Sequence, residues 1–151
     1  MHHHDKKEIW RRSERWLIAQ TLFILPLSAL LLKIFGFKRS YVALGRLLSF
    51  ADSFRSSPEQ KLSEAQRIAK IVSTVNHLHS PYIFSCLPES FTLCYLLRRR
   101  KIAAELCIGV RTTTGPFESH AWVEYNYVVL NDIENIADIY APFNLGAIII
   151  G

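Results

Sequence analysis

Apolar positions lay out the architecture before any chemistry is visible. From Trp16 to Leu32 (WLIAQTLFILPLSALLL) they run almost unbroken, interrupted by Gln20, Thr21 and Ser28, with Pro26 in the middle. This predicts a helix kinked near Pro26, which removes an N–H from the ladder, and ended by Gly36. A basic aromatic connection, FGFKRSY, follows; Val42, Leu44, Leu47, Leu48 and Phe50 then mark a second helix over Tyr41–Arg55. Ser56-Ser57-Pro58 breaks it. Ser57 caps a third helix with Pro58 in its first turn, and Leu62, Ala65, Ile68, Ala69, Val72 and Val75 repeat at three and four to about Leu78. A fourth helix begins around Cys86, with Ser85 as N-cap, Pro88 tolerable in the first turn, and Leu87, Phe91, Leu93, Cys94, Leu96 and Leu97 as its buried face.

Downstream the period falls from 3.6 to 2. Glu105–Arg111 alternates, Leu106, Ile108 and Val110 facing one way and Cys107 and Gly109 the other. A loop, Thr112–Pro116, precedes Ser119–Tyr125 and Val128–Asp132, which read as a hairpin, and Leu145–Ile150 could add an edge strand. Helices first and strands afterwards indicate an α+β fold. At 151 residues the chain suits one compact domain. Residues 1–55 form an N-terminal helical region, and 56–151 form the core.

Hairpin register decides which side chains meet. With a three-residue loop, Tyr125-Asn126-Tyr127, Glu124 opposes Val128, Trp122 opposes Leu130 and His120 opposes Asp132, sharing a face with Cβ atoms about 4.5–5.5 Å apart. A two-residue loop would put His120 and Asp132 on opposite faces. The three-residue register is the expectation.

Charge and cysteine usage narrow the class. The formal charge of +5 is scattered and forms no nucleic-acid stripe. Arg98, Arg99, Arg100 and Lys101 fall where the fourth helix should end, which suits the dipole better than a site for an acidic peptide or phosphates. Cys86, Cys94 and Cys107 are an odd set without a CxxC pair, and no secretory signal is recognisable. That points to a reducing cytoplasm and against a disulfide scaffold or zinc ribbon. His2, His3 and His4 are set aside as a tract or tag remnant, and His77 and His79 read as an ordinary helix terminus. No GxxxxGK[ST] loop occurs, so no nucleotide site is expected. Without Cys, His or acidic residues at ligand spacing no metal is expected, nor is any other cofactor. The stretch Trp16–Leu32 falls short of the roughly 20 apolar residues of a spanning helix. Covering the core or docking a partner is favoured over membrane contact.

The remaining chemistry is Cys86, His120 and Asp132, in that order. A lone cysteine is usually packing material. At a helix start, however, the dipole favours thiolate and first-turn N–H groups can meet a developing oxyanion. A carboxylate that holds one imidazole nitrogen leaves the other to exchange a proton with sulfur. Together the three read as a cysteine hydrolase. Trp122 is either core or a wall of the peptide groove, and Glu124 is a reserve acid.

The stretch CLPESFTLCYLLRRRKIAAELCIGVR followed by SHAWVEYNYVVLND resembles the transglutaminase-like cysteine peptidases of lasso-peptide biosynthesis, the stand-alone leader-peptidase (B2) proteins. The likeness covers residues 82–145, and Tyr127 stands where family members often carry Gly. It implies a transglutaminase-like, papain-like core, with the catalytic Cys at the N-terminus of a helix packed on a small antiparallel sheet, and Cys86, His120 and Asp132 as the triad. It also implies removal of an N-terminal leader from a ribosomally made precursor peptide. A separate leader-recognition protein (B1-type) and an ATP-dependent macrolactam cyclase would be the partners, with the helix at 16–32 as docking surface for the former. A non-catalytic precursor-binding scaffold, or an acyltransferase with the same triad, are the alternatives.

Overall fold

The computed structural model describes residues 3–47, 57–78, 85–111 and 115–143. In chain order these form α1 (His3–Leu47), α2 (Pro58–Leu78), α3 (Cys86–Arg99), β1 (Glu105–Arg111), β2 (Ser119–Tyr125), β3 (Val128–Val129), α4 (Ile136–Ile139) and β4 (Tyr140–Pro142). The result is α+β, with an N-terminal helical region ahead of a four-stranded antiparallel sheet of order β3-β2-β1-β4.

In α1 the break moves from the expected place. Pro26 stays within helical backbone, whereas Gly36 takes φ 75°, ψ 166°, a conformation open essentially to glycine alone. Helix resumes at once, so FGFKRSY is helical from Phe37 rather than a connection, and the Ser40 hydroxyl donates to the Gly36 carbonyl at 2.9 Å. The part of the expected second helix beyond residue 47 lies outside the described residues. Leu17 and Leu44, on either side of Gly36, both enter the main core. The bend therefore lets one apolar face follow the domain.

α2 buries Ala65, Ile68, Ala69, Val72 and Val75, the predicted stripe, and Gln60 N–H donates to Ser57 Oγ at 3.3 Å as the cap requires. α3 is the central element, packed against α1, α2 and β2, with Leu93, Cys94, Leu96 and Leu97 fully buried. Its end is closed by paired backbone bonds, Lys101 N–H to Arg98 O and Ile102 N–H to Leu97 O, with Lys101 left-handed at φ 60°. Here the basic run serves carbonyls: Arg98 Nε donates to Ala104 O and Arg100 Nη1 to Leu96 O.

The sheet has two occupied faces. Leu106, Val123 and Tyr125 join the helices in the main core. On the other face Trp122, Ile136 and Tyr140 form a second cluster with Cys107, Val129 and Ile139 against it. The edge strand beside β1 is β4; the run Leu145–Ile150 lies outside the described residues.

The hairpin corrects the expected register. Tyr125 pairs with Val128 and Glu124 with Val129, so the loop is the two residues Asn126 and Tyr127, both left-handed at φ 49° and 63°. Two positive φ values in succession give the tight turn whose twist matches the flanking strands. β3 also ends after Val129 instead of continuing to Asp132.

Candidate active site

On β2, His120, Trp122 and Glu124 project to the face away from the main core, because alternate strand residues share a face. The ring of Trp122 stacks toward His120 at 6.5 Å between centroids, and Tyr140 of β4 lies against the imidazole at 5.0 Å. Tyr140 is itself fixed: its hydroxyl donates to Glu118 Oε1 and accepts from Arg111 Nη2, and Arg111 is paired with Glu118 at 2.8 Å. Close approach of β4 depends on Gly109, which faces His120 across the β1–β2 ladder. A Cβ there would meet the Ala141 carbonyl oxygen at 2.8 Å and Tyr140 Cβ at 3.0 Å.

His120 Nε2 lies 2.5 Å from Asp132 Oδ2. The two-residue loop should have separated them, yet they meet, because the chain leaves the ladder before Asp132. Leu130 N–H still reaches Val123 O at 2.9 Å, but Val123 N–H donates to the side-chain oxygen of Asn131 at 2.8 Å. That substitution ends the strand and frees Asp132 to turn toward the ring. Asp132 Oδ1 then accepts the N–H of Ile133 at 2.8 Å, which fixes the carboxylate's orientation. With Nε2 engaged, Nδ1 is the nitrogen left for a reacting group.

Cys86 is the first residue of α3 and half-buried. Ser85 provides an extended N-cap backbone, without a side-chain bond. The link from this helix to the His–Asp pair runs through Ser90, one turn further along the same face. Ser90 is fully buried, donates to the Ala121 carbonyl at 3.0 Å and accepts from Asn131 Nδ2 at 3.0 Å. One hydroxyl thus ties the first turns of α3 to the neighbours of both His120 and Asp132. Glu89, in the same first turn, is pushed up from the ordinary carboxylate range by burial, with the nearby charge of Asp132 adding to the push and Asn76, its 2.6 Å hydrogen-bond donor, opposing it.

The cysteines differ sharply in setting. Burial raises the Cys94 thiol to about 11. Cys107 is pushed up to about 12, by burial first and then by Glu124 and Glu105. Neither is a thiolate near neutral pH. Cys86 instead sits at the N-terminal end of a helix dipole with part of its surface open.

Trp122, a candidate groove wall, is fully buried at 0% exposure, with its indole N–H donating to Glu124 Oε1 at 2.7 Å. It supports the His120 layer from below, and Glu124 is engaged there. His77 is exposed with Nδ1 at 2.7 Å from Ser73 O, within its own helix; His79 lies outside the described residues. Among the described residues no group of three or more His, Cys, Asp or Glu could hold a metal. Sequence reasoning missed Ser90, Asn131, Tyr140 and Gly109. Only Gly109 carried a signal, as a glycine inside a strand pattern.

Residues 31–143 match the family model of the transglutaminase-like superfamily. Over 133 residues the chain is 35% identical to the microcin J25-processing protein McjB of Escherichia coli, covering 83% of this chain and 63% of that protein, so it spans somewhat under two thirds of that relative's length. No solved structure matches the chain.

Proposed function

The chain belongs to the transglutaminase-like superfamily, and from that premise we propose that it is a cysteine peptidase removing the leader from a ribosomally synthesised lasso-peptide precursor. The observation that carries this reading is the His120–Asp132 contact at 2.5 Å, held beside the helix that begins at Cys86. The similarity to a microcin-processing protein supports the substrate class, a ribosomal precursor peptide.

In this mechanism the Cys86 thiol gives its proton to His120, and the sulfur attacks the scissile carbonyl. First-turn N–H groups of α3 meet the oxyanion. The imidazolium protonates the leaving amine as the C–N bond breaks, leaving a thioester between Cys86 and the leader carboxyl. Water, deprotonated by the same imidazole, attacks the thioester; the leader leaves as a carboxylate and the thiol is restored. Asp132 keeps the ring in the productive tautomer and orientation, a positioning role. The freed amine of the core peptide passes to the separate ATP-dependent macrolactam cyclase, and a discrete leader-recognition protein delivers the precursor. The cytoplasm is the proposed compartment.

Purified chain, recognition protein and precursor, compared by mass spectrometry for the native protein and Cys86→Ala, test this. Free leader and core from the native protein alone are expected. Binding of the precursor with no cleavage by either would overturn it in favour of a scaffold, and transfer of the leader to an added amine in preference to water would make the protein an acyltransferase.

A further inference from the structure

We propose that the outer face of α1 docks this protein on an anionic membrane surface. Leu17, Thr21, Leu25 and Ser28 turn inward. The opposite side presents Trp16, Phe23, Leu30 and Ile34 at 66%, 71%, 52% and 62% exposure. At the helical rise this is a continuous row roughly 27 Å long. Every exposed residue from Trp16 to Leu32 is apolar. Protein–protein interfaces usually carry about one hydrogen bond per 100–200 Å², and along the whole row the Trp16 indole N–H is the one side-chain group able to make one. Hydrocarbon chains ask for none.

The charges identify the lipid. No charged residue falls between Arg15 and Lys33, while Arg12 and Arg15 precede the row, Lys33 flanks its last residue, and Lys38, Arg39 and Arg46 follow it. The single acid in this stretch, Glu14, faces Arg67 at 4.0 Å. Near the start of the row Arg100 Nη2 donates to Gln20 Oε1 at 3.3 Å, but Arg100 Nε also faces Glu64 at 3.9 Å, so the framing charge comes from α1 itself. Past Ile34, at the Gly36 break, a crevice of about 400 Å³ opens among Leu31, Phe35, Leu44, Phe91 and Tyr95, with Arg39 also in its wall. An acyl chain with a phosphate at its head matches that lining. Exposed hydrocarbon framed by cations is the combination that holds an interfacial helix to acidic lipid.

Arg12–Arg46 is long and apolar enough to cross a bilayer. It nevertheless lies along the surface, because its inner side is engaged: Leu17 and Leu44 belong to the main core and Thr92 Oγ1 donates to Ser28 Oγ at 3.1 Å.

Flotation of the full chain with vesicles tests it, comparing phosphatidylcholine alone with an equal mixture of phosphatidylcholine and phosphatidylglycerol. Binding to the mixed vesicles, weakened by salt, is expected. Lys38→Gln with Arg39→Gln should lower that affinity about 25-fold, roughly fivefold per cation, and Phe23→Ser with Leu30→Ser should abolish it while circular dichroism stays unchanged. If the serine variant misfolds, the charge variant decides alone. Equal binding to both compositions, absence of binding, or binding unaffected by the substitutions overturns the proposal. So does a dimer, or a complex with the recognition protein, that depends on the row and forms while vesicles are ignored.

Discussion

The amide N–H of Val123 donates to the side-chain oxygen of Asn131, 2.8 Å away, where a continued strand would offer a backbone carbonyl. This one exchange ends β3 and releases Asp132 toward His120. Asn131→Ala would leave Val123 N–H and Ser90 Oγ short of a partner. We expect a loss of about 1–3 kcal/mol in urea unfolding, with cleavage reduced further than the stability loss explains. Asn131→Asp keeps the acceptor but loses the donor to Ser90, and should fall between.

Asp132→Asn tests the positioning role without changing shape. An amide cannot hold the imidazole tautomer as a carboxylate does, so kcat should drop by about 10²- to 10⁴-fold with KM and Tm nearly unchanged. A kcat within threefold or so of the native value would remove Asp132 from the mechanism.

Alkylation separates the three thiols. At pH 8 a group titrating near 11 or 12 is thiolate to about one part in a thousand or less, so Cys94 and Cys107 should resist iodoacetamide until the protein unfolds. One adduct, on Cys86, is expected from the native protein and none from Cys86→Ala. Peptide mapping of the labelled chain reads this directly.

Glu89 predicts a pH dependence of stability. Its carboxyl titrates higher when folded than when unfolded, so its favourable contribution is full below the ordinary glutamate range and is lost as pH rises through the raised native value. Glu89→Gln removes that loss. The variant should match the native protein in acid and exceed it at neutral pH, compared by urea midpoints across that range.

Gly109→Ala should push β4 away from β1. Its Cβ meets backbone, the Ala141 carbonyl at 2.8 Å, so relief requires strand movement and Tyr140 would lose its place against His120. About 1–3 kcal/mol of destabilisation is expected from such crowding. Calorimetry and cleavage rate should fall together.

Much of this was legible in the chain, and the misses have physical reasons. α2 and α3 follow from three-and-four spacing, and Cys86 at a helix start follows from Ser85 and the apolar face behind it. The three-residue loop was expected because it sets His120 opposite Asp132, whereas Asn126 and Tyr127 both take left-handed backbone, at φ 49° and 63°, and close a two-residue turn. The His–Asp pairing was nevertheless anticipated, though the geometry that produces it comes from a departing strand rather than an opposed register. Elements as short as α4 and β4, IADIYAP, are too brief to show any period. Ser90 and Asn131 look like ordinary polar residues until folding buries one and aims the other.

Leu17 and Leu25 are almost wholly enclosed, and Leu17 belongs to the same cluster as Leu93 and Leu96 of the helix that starts at Cys86. The N-terminal rod is therefore not a detachable appendage: a shortened version holding only the segment from α2 onward would bare greasy surface and aggregate. Anyone wishing to immobilise or fuse this protein should keep the rod whole.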